Sequence, residues 1–143
     1  MAEYPLPKFH FEVDWGGTRI GFTEVTGLDK QAEVIEYREG SSRVFSKIKM
    51  PGLQKYSNIT MKRGTFQGQT DFYDWLKTVD KLGNVDRRDI TIKLLNEKHE
   101  PVFTWKALQA FPTKVQASDL KADGNEVAIE TLEIAHEGLS LVK

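Results

Sequence analysis

Alternation of apolar and polar residues with a period of two recurs along this 143-residue chain, and it restricts the possible folds more than any other feature. Between residues 8 and 14, Phe9, Phe11 and Val13 alternate with polar residues, as in a strand with one buried face. Further strands are predicted at about 33–38, 56–63, 90–94 and 102–110, with strand-like residues continuing through 112–116. The chain is therefore predicted to be rich in β-structure.

Turn signals between these segments predict how the strands connect. Gly16-Gly17 tolerates positive φ and predicts a hairpin between the first strand and a second one containing Ile20 and Phe22. The polar segment 96–100 predicts another hairpin between the strands at 90–94 and 102–110. The sequence 122–125 contains Asp-Gly and predicts a further tight turn.

One segment has the period of a helix. Phe72, Trp75, Leu76 and Val79 lie on one apolar stripe, with Thr70 suited to the N-cap and Gly83 to the stop, so a helix is predicted at about 70–82. The aromatic side chains of this stripe are those expected to pack in a core.

The segment 126–137 leaves two alternatives open. Its glutamates are spaced four, three and four residues apart and would line one face of a helix. If the segment is a strand, the apolar parity slips between Ile129 and Leu132, which would require a bulge. The residue pattern alone favours neither.

A long segment at about 39–56 carries many basic and small residues and a Pro-Gly turn signal at 51–52. Loops of this length in a compact domain are uncommon and are often functional. We therefore predict that it protrudes from the body of the protein.

Charge is strongly segregated along the chain, although the net charge is only −1. From Arg38 to Arg63 seven basic residues stand against one acid, a local charge of +6, whereas residues 119–137 carry a local charge of −5. Oppositely charged surfaces on one chain can attract each other between copies. The alternative is that both are merely solvated faces.

Motifs that carry chemistry are scarce in this sequence. The chain has no Cys, and His10, His99 and His136 are too widely separated to suggest a metal site from spacing. No nucleophile elbow, P-loop or dinucleotide fingerprint is present. We predict no catalytic residue, cofactor site or metal site, and no membrane span or signal peptide. The pI near 6.3 disfavours nucleic-acid binding as a primary role.

Several stretches, taken in order, resemble the tail tube proteins of contractile phages and the inner tube proteins of contractile injection systems. They are FHFEVDWGG at 9–17, FTEVTGLDKQAEVIEYREG at 22–40, KYSNITMKRG at 55–64, FYDWL at 72–76 and NEVAIETLEIAHEGL at 125–139. The resemblance spans nearly the whole chain. The type VI secretion tube protein resembles the chain more distantly.

This resemblance implies a single domain, 1–143, with two packed antiparallel sheets in a sandwich or barrel-like arrangement, one flanking helix, and a strand at 126–137. It implies hexameric rings that stack into a hollow tube, with the loop at 39–56 reaching an adjacent subunit or ring. The expected partners are other copies of the chain, a sheath protein, baseplate or spike proteins, tube-terminating proteins, and cargo in the lumen. Assembly is expected in the bacterial cytoplasm, and function in a phage tail, a released particle or a cell-anchored apparatus.

The residues expected to contact neighbouring subunits come from the basic segment and the acidic segment. They are Arg43, Phe45, Lys47, Lys49, Met50, Leu53, Glu126, Glu130 and Glu133. Two other functions remain as alternatives: a monomeric β-barrel that binds a small ligand or carbohydrate, and a hydrolase. No sequence feature supports the hydrolase.

Overall fold

The computed structural model describes residues 6, 8, 10–16, 21–41, 43, 45–80 and 85–142. Its strands are β1 (Phe11–Asp14), β2 (Phe22–Thr26), β3 (Lys30–Tyr37), β4 (Ile48–Tyr56), β5 (Ile59–Gly64), β6 (Arg88–Leu95), β7 (Pro101–Ala117), β8 (Ile129–Ala135) and β9 (Gly138–Leu141). The helix α1 (Asp71–Lys77) is followed by a 3-10 turn at Thr78–Asp80. The prediction of a mainly β fold with one helix is confirmed.

The strands of the body follow the order β1-β6-β7-β8-β5-β2, with β9 also paired to β7, and every pairing is antiparallel. The 17-residue strand β7 pairs with β6 and β9 along its first part and with β8 along its second. Between these parts Gln109 has a φ of 52°, and its N–H donates to Asp89 at 3.0 Å. This irregularity lets one strand serve two sheets, so the expected pair of antiparallel sheets is confirmed.

The predicted hairpin at Gly16-Gly17 is wrong. Strand β1 pairs with β6 and strand β2 pairs with β5, so the two strands lie at opposite ends of the strand order. Trp15 explains the difference, because it is only 1% exposed and its ring lies 5.0 Å from that of Phe72 and 5.7 Å from that of Trp75. The chain enters the core where a turn was expected. Gly17 and Ile20 lie outside the described residues.

The predicted turns at 96–100 and 122–125 are confirmed. Strands β6 and β7 form a hairpin whose turn is organised by Asn96, since its side-chain oxygen accepts the N–H groups of Lys98 and Glu100, both at 2.9 Å. In the turn near 122–125, the N–H of Gly124 donates to the carbonyl of Lys121 at 3.0 Å.

The helix forms where the apolar stripe predicts it, and its aromatic residues Phe72 and Trp75 are buried in the core. Thr70 occupies the N-cap position without a side-chain capping bond, and its hydroxyl instead donates to the Asp74 carboxylate at 3.2 Å. The regular α-helix ends at Lys77, before the predicted end at residue 82, and Gly83 lies outside the described residues.

The ambiguous segment at 126–137 is a strand, β8, as the resemblance implies. Its predicted bulge is wrong, because β8 pairs with β5 without a register shift and Glu130, Leu132 and Ile134 alternate as buried residues. The apparent slip in parity arose because Glu130, a charged residue, lies on the core face with only 3% of its surface exposed.

Glu130 is buried beside Arg63, which is itself fully buried on β5. Nε of Arg63 lies 3.8 Å from Oε1 of Glu130, and its Nη2 lies 2.7 Å from Oδ1 of Asp71. The guanidinium also stacks over the Phe72 ring, 3.7 Å from its centroid. Burial raises the pKa of Glu130, the positive charge of Arg63 opposes this rise, and the negative charge of Asp71 adds to it.

The raised pKa of Glu130 predicts a specific pH dependence. The folded state holds this proton more tightly than the unfolded state, so this contribution to stability is complete below the ordinary pKa of 4.5 and is lost as pH rises through the folded pKa. The stability of the wild type relative to Glu130→Gln should therefore fall across that window. Urea denaturation from about pH 4 to about pH 8 measures it, with Glu133→Gln on the other face of β8 as control. Parallel wild-type and Glu130→Gln curves would contradict the assignment.

Gly27, between β2 and β3, predicts a second effect on stability. Its φ is +90°, and an added Cβ would lie 2.2 Å from the carbonyl oxygen of Asn58. Gly27→Ala should therefore cost about 1–3 kcal/mol or more in unfolding free energy. Gly21→Ala is the matched control, because an added Cβ there meets nothing within 4 Å. Equal stability of the two variants in chemical denaturation would refute this prediction.

Candidate subunit interface

Strands β3 and β4 form a hairpin that is separate from the two sheets of the body. They pair from Lys30 opposite Tyr56 to Tyr37 opposite Ile48 and pack mainly on each other. All eight residues of β3 are exposed. An isolated two-stranded hairpin is marginally stable in water, so this element needs a further surface to cover it.

One face of this hairpin is apolar. Ile35 lies directly opposite Met50, and Tyr37 lies directly opposite Ile48, so these four side chains share a face. Each is 45–63% exposed. Leu53, in the strand beyond them, is 81% exposed. We call these five residues the hairpin patch; contiguous exposed apolar surface of this kind marks interaction sites.

The predicted loop at 39–56 is a strand over its second half, because β4 begins at Ile48. The Pro-Gly pair does not form the expected turn. Pro51 pairs opposite Val34 next to a register shift in a two-stranded sheet, where a residue lacking an N–H is tolerated. Gly52 permits close packing there, since an added Cβ would lie 3.0 Å from Cγ1 of Ile35. What remains as a connection is 38–47, the hairpin tip, in which Phe45 is 91% exposed.

The basic segment carries less free charge than its sequence count indicates. Three of its four lysines pair with glutamates of β2 and β3 that lie outside the counted range: Lys47 with Glu36 at 3.1 Å, Lys55 with Glu33 at 3.7 Å and Lys62 with Glu24 at 3.4 Å. Arg63 is in the core. In the described part of the chain Arg43 and Lys49 form no ion pair, so they carry positive charge on the hairpin.

The acidic segment likewise leaves fewer acids free than its sequence count indicates. Glu130 is buried, Glu133 accepts a hydrogen bond from Asn58 at 3.1 Å, and Glu137 pairs with Arg87 at 3.3 Å. The remaining acids lie on the loop 118–128 between β7 and β8, which we call the acidic loop. It exposes Asp119, Asp123 and Glu126 together with the apolar side chains of Leu120 and Val127.

The structure gathers most of the predicted contact residues into two surfaces. Arg43, Phe45, Lys47, Lys49, Met50 and Leu53 lie on the hairpin or its tip, and Glu126 lies on the acidic loop. Glu133 is half-buried on β8. Glu130 is the correction: a side chain buried against Arg63 inside its own subunit cannot contact a neighbour, and its charge serves the core.

Sequence reasoning missed Ile35, Tyr37 and Ile48 on the hairpin patch, and Leu120 and Val127 on the acidic loop. The residues of β3 were assigned to a strand, but nothing in the sequence said that neither face of that strand would be covered. Two pairs of apolar residues spaced two positions apart, Ile35 with Tyr37 and Ile48 with Met50, are the sequence signal that could have identified the patch.

A groove lies between the edge strands β1 and β2, which belong to different sheets. Its volume is about 550 Å³, and apolar side chains dominate its lining. They include Phe11, Val25, Leu28, Leu94 and Trp105. The groove offers a further apolar surface at the open side of the body.

Features of other kinds of site are few. The described residues contain no group of three or more His, Cys, Asp or Glu side chains placed to hold a metal ion. In the same part of the chain no helix combines the length and the apolar character that crossing a membrane would require.

The described residues thus form a body of two antiparallel sheets and a separate hairpin whose apolar face is exposed. Residues 7–140 match the family model described as T4-like virus tail tube protein gp19, so the chain belongs to the tail tube family. It is a structural tube subunit, as the resemblance in sequence predicts, and the alternative of a monomeric ligand-binding barrel is not favoured.

Solved structures of contractile injection systems contain similar chains. A chain in the PVC sheath-tube complex in its extended state is 35% identical, with a TM-score of 0.87 over 97% of this chain and 92% of that one. A chain in the PVC sheath/tube terminator is 34% identical, with a TM-score of 0.90 over 100% of both chains. A chain in the cap of the anti-feeding prophage is 32% identical, with a TM-score of 0.89 over 99% of this chain and 93% of that one.

More distant structures share the fold alone. Hcp1 from Flavobacterium johnsoniae is 15% identical, with a TM-score of 0.61 over 94% of this chain and 95% of that one. No curated protein sequence matches the chain.

The exposure of the hairpin patch predicts that it contributes little to the stability of a lone subunit. Ile48→Thr should change the unfolding free energy by no more than about 0.5 kcal/mol. Ile134→Ala, in the core, should cost about 2–5 kcal/mol. Urea denaturation at concentrations where light scattering shows monomers compares the two, and a large loss in Ile48→Thr would show that the patch belongs to the core.

Proposed function

We propose that this chain forms hexameric rings that stack into the hollow inner tube of a contractile apparatus. A sheath would surround this tube, baseplate or spike proteins and a terminator would meet its ends, and protein effectors or DNA would pass through its lumen. The observation that carries the proposal is the hairpin patch, which the subunit leaves uncovered. The family supports it, because tail tube proteins are structural tube subunits.

The position of the patch favours a head-to-tail contact. We infer that the hairpin of one copy packs against a different surface of the next copy. Such a heterologous contact produces a closed ring when its rotation closes and a continuing stack when it does not. A tube built from rings has both outcomes: the contact closes within each ring and continues from ring to ring along the stack.

The acidic loop is the receiving surface that best matches the hairpin. It presents Asp119, Asp123 and Glu126, opposite in sign to Arg43 and Lys49 on the hairpin. Leu120 and Val127 provide apolar area for the exposed side chains of Phe45 and Leu53. Complementary charge sets register and association rate, while buried apolar area provides affinity.

Open sheet edges give assembly a second role. Strands β1 and β2 end the strand order of the body, so among the described residues neither has a strand partner on its outer side. Exposed edges of this kind pair readily with other chains, which is a hazard in a lone subunit. Ring closure would pair these edges and remove the hazard.

Charge reversal on the hairpin tests the proposal. Arg43→Glu with Lys49→Glu should abolish stacking, whereas Arg43→Lys with Lys49→Arg keeps the charge and should assemble normally. Asp119→Lys with Asp123→Lys in the acidic loop should restore assembly to the charge-reversed chain. Size-exclusion chromatography with light scattering and negative-stain microscopy report the rings and tubes.

Two results would contradict the proposal. One is a wild-type chain that stays monomeric at high concentration even beside its sheath and baseplate proteins. The other is a charge-reversed chain that forms tubes as well as the charge-preserving control. The acidic-loop substitutions could fail to restore assembly while the charge-reversed and charge-preserving chains behave as expected. That result would overturn the acidic loop as the receiving surface but would not contradict the tube.

Among contractile machines, an injection system is the better supported setting. The chains that are 32%, 34% and 35% identical to this one come from the anti-feeding prophage and from PVC. We infer assembly in the bacterial cytoplasm and action in a released or cell-anchored particle. Neighbouring genes test this: sheath, baseplate and AAA+ ATPase genes without a capsid gene support it, whereas capsid and terminase genes indicate a phage tail.

A further inference from the structure

Two histidines that lie 89 positions apart in the sequence have adjacent imidazole rings. His10 immediately precedes β1, and His99 lies in the turn between β6 and β7. Nε2 of His10 is 3.0 Å from Nδ1 of His99, and the ring centroids are 5.0 Å apart. Sequence spacing gave no reason to expect this convergence, which arises only from the tertiary fold.

The surroundings of His10 define its tautomer. Its Nδ1 lies 3.1 Å from the backbone carbonyl of Asn96, and because a carbonyl only accepts, Nδ1 carries the proton. Nε2 of the neutral ring then carries a lone pair and accepts a hydrogen bond from Nδ1–H of His99. The backbone of His10 is also held, since its carbonyl accepts the N–H of Leu95 at 2.8 Å.

The turn that carries His99 is held in an unusual conformation. His99 has a φ of 63°, in the left-handed region that non-glycine residues seldom adopt. Its N–H donates to the Asn96 carbonyl at 3.0 Å, and the Asn96 side chain accepts two further N–H groups of the turn. Strained residues that persist in this way often mark functional positions.

We propose that His10 and His99 bind one transition-metal dication, with Cu²⁺ preferred over Ni²⁺ and Zn²⁺. If a metal lies about 2.05 Å from each of two nitrogens that are 3.0 Å apart, the N–metal–N angle is about 94°. That angle is close to the right angle of square-planar and octahedral sites and narrower than the tetrahedral one. The preference for Cu²⁺ also follows the general order of divalent affinities.

The remaining features of the pair agree with such a site. Metal-binding imidazoles usually donate their other N–H to a carbonyl or carboxylate, as His10 does to Asn96. When the metal binds, the ring proton of His99 moves from Nδ1 to Nε2, which frees Nδ1 as a ligand. Both imidazole rings remain neutral. Glu97 and Glu100 in the same turn favour a cation, and Lys98 opposes it. No third ligand is grouped with the pair in the described part of the chain, so water completes the coordination.

A bound metal would clamp the segment before β1 to the β6–β7 turn. Because β1 is an edge strand, the clamp would order one of the sheet edges of the body. This inference stands independently of the proposed tube assembly.

The test uses the full chain without a histidine tag, titrated separately with Cu²⁺, Ni²⁺ and Zn²⁺ in a calorimeter. We expect one ion per chain and a rise in melting temperature with metal concentration. His10→Gln and His99→Asn should each weaken Cu²⁺ binding roughly tenfold or more. Asn tolerates the left-handed backbone, so His99→Asn should keep the turn and remain folded. His136→Ala, remote from the pair, is the matched control and should bind as the wild type does.

Electron paramagnetic resonance of the Cu²⁺ complex provides a second readout, since two coordinated imidazoles split the signal through their nitrogens. Loss of that splitting in His99→Asn, with the control unchanged, would support the site. The proposal is overturned if the wild type binds neither Cu²⁺ nor Ni²⁺, or if binding persists undiminished in His99→Asn. Equal loss in His136→Ala would also overturn it.

Discussion

The apolar face of the β3–β4 hairpin is the part of the structure that a single subunit leaves exposed to water. Ile35, Tyr37, Ile48 and Met50 occupy one side of a two-stranded sheet that makes little contact with the body of its own subunit. Apolar surface of this kind is unfavourable in water, and a lone hairpin gains little from its backbone pairing. An exposed face of this kind marks an interaction surface, which agrees with membership of the tail tube family.

The body of the subunit, by contrast, buries its own apolar residues. Its core joins the two sheets and α1 around Trp15, Phe72 and Trp75, and it includes an ion pair between Arg63 and Glu130. Burying charges is costly, and removal of one partner of such a pair would leave the other charge buried and uncompensated. The pair also positions the start of α1, since Arg63 reaches Asp71 at 2.7 Å.

Sequence reasoning predicted the parts of the fold in which local pattern and burial agree. The helix, the β6–β7 hairpin and most strands follow from periodicity and turn residues. It failed where tertiary packing decided: Trp15 enters the core next to an apparent Gly-Gly turn, and Glu130 occupies a core position of β8. Charge counted along the chain overstated the surface patches, because three of the four lysines of the basic segment pair with glutamates outside it. His10 and His99 converge only through the pairing of distant strands.

Hydrogen exchange of the backbone amides, compared between dilute monomer and assembled tube, tests directly whether a neighbouring copy covers the β3–β4 hairpin. Amides of β3 and β4 should exchange rapidly in the monomer and become strongly protected in the tube, while those of β8 should be protected in both states. Protection that changes at β3 and β4 by no more than at β8 would contradict the claim that a neighbouring copy covers the hairpin.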